Sequence, residues 1–205
     1  VGVVDLTKGE LASQGSVETR AKESKSASAI LKLSHRENLG LPDGGILERD
    51  EEQVHALCKC LRTLKPQLLL APYVQDRHPD HMQASLLIDR ASFFANLSRY
   101  KPEAGAPHQS LQVAYYQLRT AFAPSFLVNV STTYETKLAA IHSYSSQISR
   151  AEASTSLISS PLSLSSIMAR DEYYGSMLGV KHAEPFFPKT AIGIGGPLAF
   201  FRTNA

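Results

Sequence analysis

The sequence predicts a single α/β domain in which helices cover a mostly parallel sheet, and three observations carry that expectation. Apolar runs of strand length alternate with helix-period segments from residue 1 to residue 72. The last of these runs, Leu68-Leu69-Leu70-Ala71, is continuous instead of alternating, the pattern of a parallel strand covered on both faces. Directly after it comes Asp76-Arg77-His78-Pro79-Asp80-His81, placed where an α/β sheet opens its ligand crevice beyond the carboxyl ends of its strands. Together they give a Rossmann-like, three-layer arrangement.

Taken in order, residues 1–6 form an apolar strand and residues 7–15 a polar loop. Ser16 caps a helix that runs to about residue 33, with Glu18 in its first turn. Arg20 lies one turn in, where a cation opposes the helix dipole; it either points at an anion or is a solvated surface residue. Residues 35–44 read as a short strand and a turn closed by Asp43-Gly44. Asp50 and Gln53 make a capping-box pattern for a helix carrying Val54, Leu57, Leu61 and Leu64, which ends before Pro66. Residues 67–72 are the next strand.

The loop at 76–81 holds two histidines, two carboxylates and an arginine within six residues. Such a set can bind a metal, polarise a carbonyl and orient an imidazole; equally, it can be a polar connection in which Asp80 caps the following helix behind Pro79. Residues 82–95 then show helical spacing through Ala84, Leu87, Ile88, Ala91 and Phe94. The loop at 98–107 is broken by Pro102, Gly105 and Pro107, and the lone His108 reads as a surface residue. Strands are expected at 111–118 and 126–130, and a helix at 134–148 behind Thr132 or Thr133. The serine- and alanine-rich residues 149–163 suggest a mobile loop or lid. A last helix at 165–178 stops at Gly179, and a Gly/Pro-broken strand closes the chain at 190–201. Gly193-Ile194-Gly195-Gly196 is not a phosphate loop, since no helix follows it.

Composition narrows the function classes. With 205 residues, 43% of them hydrophobic and 20% charged, the chain can bury one full core. A net charge of +2 without a Lys/Arg block gives no footprint for nucleic acid. No apolar run nears the roughly 18 residues of a membrane span, which points to a cytoplasmic protein. Its partners are then small molecules or copies of itself, as a homo-oligomer. Cys58 and Cys60 are two apart on one helix and point away from each other, so they read as separate reduced thiols.

The motifs also resemble a known family. Asp5-Leu6-Thr7-Lys8-Gly9-Glu10, residues 15–18 with Arg20, Asn38-Leu39 with Asp43-Gly44, and residues 76–81 are similar, in words and spacing, to the LmbE/PIG-L zinc-dependent N-acetylglucosaminide deacetylases. Residues 127–130, 137–147, 169–175 and Glu184-Pro185-Phe186-Phe187 resemble the bacillithiol-biosynthesis branch, which deacetylates N-acetylglucosaminyl-malate. The resemblance implies zinc as cofactor with His81 as a ligand. It implies catalytic roles for His78, as an imidazolium facing the amide carbonyl, and for Asp80, holding its other nitrogen. It makes Arg20 and Arg77 the groups that read malate carboxylates or sugar hydroxyls. Members of the family carry an AHPDDxE-type motif after their first strand, so the first β-α unit, roughly 30 residues, is expected ahead of Val1 with the remaining zinc ligands and the catalytic carboxylate. A tyrosine that reaches the site in some members is replaced here by the stretch Pro161-Leu162-Ser163-Leu164.

Overall fold

The computed structural model describes residues 1–12, 14–109, 111–148 and 164–193. The chain alternates as expected through its first half: β1 (Gly2–Asp5), α1 (Val17–Ile30), β2 (His35–Asn38), α2 (Glu51–Leu64), β3 (Leu68–Pro72) and α3 (Pro79–Ala95). Then come β4 (Gln112–Tyr116), β5 (Phe126–Asn129), α4 (Tyr134–His142), α5 (Ser145–Ile148), α6 (Leu164–Leu178) and β6 (Ala183–Pro188). The expected lid at 149–163 lies outside the described residues.

Local chemistry sets the helix starts. Ser16 Oγ accepts from the Thr19 amide at 3.2 Å, and Asp50 accepts from the Glu52 and Gln53 amides at 3.0 Å each. Gln53 does not reach back to Asp50; its side chain holds the preceding turn through Leu47 N and Gly45 O. α3 begins at Pro79, three residues before the expected start, because His78 is its N-cap: the ring Nδ1 accepts from the Asp80 amide at 3.2 Å. Proline needs no donor at the first helical position, so it opens this helix instead of delaying it. The helix expected at 134–148 is broken at Ser143 and Tyr144. Glu23 of α1 restarts it by accepting from the Ser146 amide at 2.7 Å and from its hydroxyl at 2.8 Å.

The sheet is mixed, and it is divided. β1 pairs with β2 in parallel, and a second set runs β3-β4-β6-β5, with β3 and β4 parallel and both β6 pairings antiparallel. Among the described residues β1 and β3 are not hydrogen-bonded to each other. They nevertheless border one core: Leu6 and Leu69 pack against the cluster of Val54, Leu57, Ala71, Leu87 and Ala91. The last strand among the described residues is β6; of the strand expected at 190–201 only residues 190–193 are described, and they are not in a strand. Pro185 and Pro188 argue against a central strand in sequence, but β6 sits between β4 and β5, with Ala183 fully buried.

Side-chain direction defines the layers. Tyr115 and Phe187, paired across β4 and β6, point to one face, where the Tyr115 hydroxyl donates to Asp89 of α3. Glu184 points to the other, where it meets Lys137 of α4, which also binds Asp171 of α6 at 2.6 Å. β3 departs from the expectation of two covered faces. Leu69 and Ala71 face the core, whereas Leu68 and Leu70 are 56% and 48% exposed because no described helix lies over them. His108 is also corrected: it is buried, its Nε2 2.7 Å from the Pro66 carbonyl.

Cys58 and Cys60 are both buried and unpaired with each other. Burial, and then the Glu37 carboxylate that accepts from Cys60 Sγ at 2.8 Å, push the Cys60 thiol up to about 12. At pH 8 the native protein should therefore react with a thiol reagent roughly a thousandfold more slowly at Cys60 than the unfolded chain does, since only the thiolate attacks. The pKa is raised on folding, so the linked stability is complete below the unfolded thiol's value of about 8.5 and is lost as pH climbs from there through about 12. Reagent kinetics with and without denaturant check the first statement; rapid labelling of Cys60 in the folded protein would contradict it.

Candidate active site

Three loops leave the carboxyl ends of β1, β2 and β3, and the turn at Asp43-Gly44 ties them together. Asp43 accepts from the Leu11 amide at 2.8 Å and the Thr7 hydroxyl at 3.4 Å, fixing the loop after β1. The Gly44 amide donates to Asp80 Oδ2 at 2.7 Å, fixing the loop after β3. The crevice expected from the fold is thus assembled from neighbouring strand ends. Gly44 has φ +75°, a left-handed conformation that suits glycine at this turn.

Within the loop at 76–81 the organising group is Asp76, whose carboxylate is 2% exposed. One oxygen accepts from the His78 amide at 2.9 Å and lies 3.1 Å from His81 Nδ1; the other accepts from the Arg119 amide at 3.4 Å. Burial would raise its pKa, but these hydrogen bonds and the His81 ring outweigh burial and hold the carboxyl below its ordinary range. Burial also lowers His81, with the His78 ring and the Arg119 charge adding to it and Asp76 opposing. His81 is therefore neutral at pH 7, with Nδ1–H donated to Asp76 and the Nε2 lone pair left for a ligand. A carboxylate behind an imidazole in this way orients metal-binding histidines.

His78 stacks on His81 with centroids 4.6 Å apart and planes 24° from parallel. Its Nδ1 accepts from the Asp80 amide, so its proton sits on Nε2. The expectation that Asp80 holds the second nitrogen of His78 and favours an imidazolium does not match this arrangement. Asp80 Oδ2 accepts from Gly44 instead, and the ring, its Nδ1 taken as acceptor, has Nε2–H to donate.

The structure places the two expected arginines differently. Arg77 is exposed in the loop itself, beside Arg119 of the segment following β4. Arg20 lies over the loop after β1: a Cβ added to Gly9, which has φ +72°, would come within 2.9 Å of its guanidinium carbon. No hydrogen bond or ion pair to a described residue ties that guanidinium down. Asp76 and Arg119 were not singled out in sequence. Asp76 was visible as the start of the motif, whereas Arg119 stands in a loop with no pattern around it.

Of this donor set, His81 fits zinc, since it is neutral, oriented by a carboxylate and open at Nε2. Among the described residues no group of three or more His, Cys, Asp or Glu side chains converges to hold a metal, so these residues bring one ligand of the roughly three that a catalytic zinc needs. No helix among them is long and apolar enough to cross a membrane.

The order of strands and helices, the mixed sheet and the crevice loops define an α/β protein of the LmbE-like fold. Residues 1–92 match the family model described as PIG-L: GlcNAc-PI de-N-acetylase. The conserved protein TT1542 from Thermus thermophilus is 37% identical, superposes with a TM-score of 0.83, and is aligned over 94% of this chain and 83% of its own. The N,N'-diacetylchitobiose deacetylase of Pyrococcus horikoshii, solved with its inhibitor MPG, is 22% identical over 98% of this chain and 74% of its own, with a TM-score of 0.76. GalB, the 4-carboxy-2-hydroxymuconate hydratase of Pseudomonas putida, is 19% identical over 95% of this chain and 86% of its own, with a TM-score of 0.73. The chain belongs to the PIG-L/LmbE deacetylase family.

Proposed function

We propose that this protein is a zinc-dependent amide hydrolase that removes the acetyl group of N-acetylglucosaminyl-malate, giving glucosaminyl-malate and acetate in bacillithiol biosynthesis. The observation that carries the reading is the paired histidines: His81 held by Asp76 with Nε2 free, and His78 stacked on it with Nε2–H exposed. Family membership supports deacetylation as the reaction, since the fold by itself is shared with a hydratase. His81 would be one zinc ligand. Two further ligands and the general base would come from outside the described residues. When bound, zinc polarises the amide carbonyl and makes a water acidic enough to attack at neutral pH.

This chain's own residues would do the rest. Asp76 orients His81, and Asp80 fixes the crevice wall through Gly44. His78 Nε2–H donates to the oxygen that gains charge as the carbonyl carbon becomes tetrahedral. Arg77 and Arg20 would read the malate carboxylates, because planar guanidinium forks suit carboxylates.

The test is acetate release from N-acetylglucosaminyl-malate, from free N-acetylglucosamine and from a neutral N-acetylglucosamine glycoside, with wild type and Arg20→Lys. Preference for the malate conjugate is expected, and Arg20→Lys should lower its kcat/KM about ten- to a hundredfold while affecting the neutral sugar less. Equal rates on all three substrates would move the reading to another N-acetylglucosamine conjugate. Binding without turnover would make the protein a sugar-binding module.

A further inference from the structure

We propose that Arg170 and Tyr174 of α6 are positioning residues for the histidine loop, acting through the turn at residues 117–119; the inference deepens the deacetylase reading and rests on it. Arg170 is fixed first by its own helix. Its Nε lies 3.0 Å from Asp171 Oδ1, as does Nη2, and Asp171 is fully buried and held from its other side by Lys137. That leaves Nη1 aimed at the turn, where it donates to the carbonyls of Gln117 at 3.0 Å and Leu118 at 3.3 Å. The Tyr174 hydroxyl donates to the Gln117 side chain at 2.8 Å. The next residue along is Arg119, whose amide reaches Asp76 Oδ2. Asp76 in turn holds the His78 amide and His81 Nδ1. A continuous set of hydrogen bonds therefore runs from α6, which lies against β5 and β6, to the imidazole proposed as ligand.

Two features argue that the clamp serves the site and not the sheet alone. β4 has ended at Tyr116, and the Tyr73 amide already closes the ladder on the Tyr116 carbonyl at 3.1 Å. The turn beyond needs no anchor for β4 to pair. It does need one to keep the Arg119 guanidinium beside Arg77, since two like charges at one place repel unless their backbones are fixed. With the turn held, Asp76 is kept dry and both of its oxygens are engaged. With the turn free, Asp76 loses the Arg119 amide, and water can compete for the His81 proton.

The experiment compares wild type, Arg170→Met and Tyr174→Phe in the full chain by amide hydrogen exchange resolved to single residues, together with kcat and KM for acetate release. In both variants the amides of Arg119 and His78 should exchange about tenfold faster or more, while those of β4 and β6 stay as they were. kcat should fall about tenfold with KM changed less, as expected when a reacting group is misplaced and not lost. Tyr174→Phe removes only a hydroxyl, so it carries the test if Arg170→Met does not fold. Unchanged exchange at His78 in a folded variant would overturn the proposal, as would equal acceleration across β4, β6 and the loop, which marks a merely structural role. If wild type releases no acetate from any substrate the deacetylase reading fails, and the exchange pattern alone still decides the clamp.

Discussion

His81→Ala should strip zinc from the protein, whereas His78→Ala should keep most of the metal and lose turnover about a hundred- to a thousandfold in kcat. The two rings are stacked neighbours of similar size, so packing does not separate them; their hydrogen bonds do. His81 gives its Nδ1 proton to a buried carboxylate and keeps a basic nitrogen for a cation. His78 uses its acceptor nitrogen to start α3 and has only a proton to offer. A donor of that kind acts on charge that develops during reaction, and its loss appears in kcat before it appears in binding. Alanine at 78 also removes the helix cap, at a cost of about 1 kcal/mol, which the fold should survive. Metal analysis of the two purified variants, beside single-turnover kinetics, makes the comparison. Equal zinc loss from both would end the division of roles.

The second large effect concerns stability. Arg62 is 2% exposed and has no ion pair with a described carboxylate. Its guanidinium donates instead to five backbone carbonyls: Phe94, Ala95 and Leu97 at the end of α3, and Lys101 and Gly105 in the loop beyond. Phe94, Ala95 and Leu97 stand where α3 runs out, at the negative pole of its dipole; with Lys101 they each accept one backbone amide already, and Arg62 supplies the second bond. Arg62→Ala removes five charge-assisted hydrogen bonds at once and empties a buried site, which should cost about 3 to 5 kcal/mol and lower Tm by about 10 °C. Arg62→Lys should recover only a fraction, because one ammonium cannot span five acceptors. By contrast Arg49, whose side chain is 86% exposed against Glu48, should change stability by less than about 1 kcal/mol when truncated. Thermal unfolding of the three variants checks this, and a small effect at Arg62 would mean water takes over the carbonyls.

These residues also mark where sequence reading stops. The alternation of β1 to α3 was legible because each element carries its own period, cap or breaker, as with Asp50 before α2 and Ser16 before α1. The His81 loop was legible because its residues are adjacent and chemically unusual. Arg62 stands at the edge of the apolar stripe of α2, one turn after Cys58, yet its partners lie on another helix and a later loop. Arg36 is similar: Asp5 of β1, Ser24 of α1 and Tyr144 between α4 and α5 surround it, and local spacing names none of them. β6 was missed for the opposite reason. Its prolines carry a strong local signal, but Pro185 stands opposite Leu127 within the antiparallel pairing, a placement set by β4 and β5 on either side. Asp80 shows the same limit at the site: the resemblance implied its pairing with His78, whereas its Oδ2 accepts from Gly44, a partner 36 residues away.

The divided sheet has a consequence for how the molecule behaves among its neighbours. β1 and β3 are short, mostly apolar strands, and among the described residues each has one edge with no strand beside it. Leu68 and Leu70 stand exposed on β3, so that strand offers another chain an apolar face together with unpaired backbone groups. Crowding and slow handling then favour assembly from chain to chain, which light scattering at rising protein concentration reports directly.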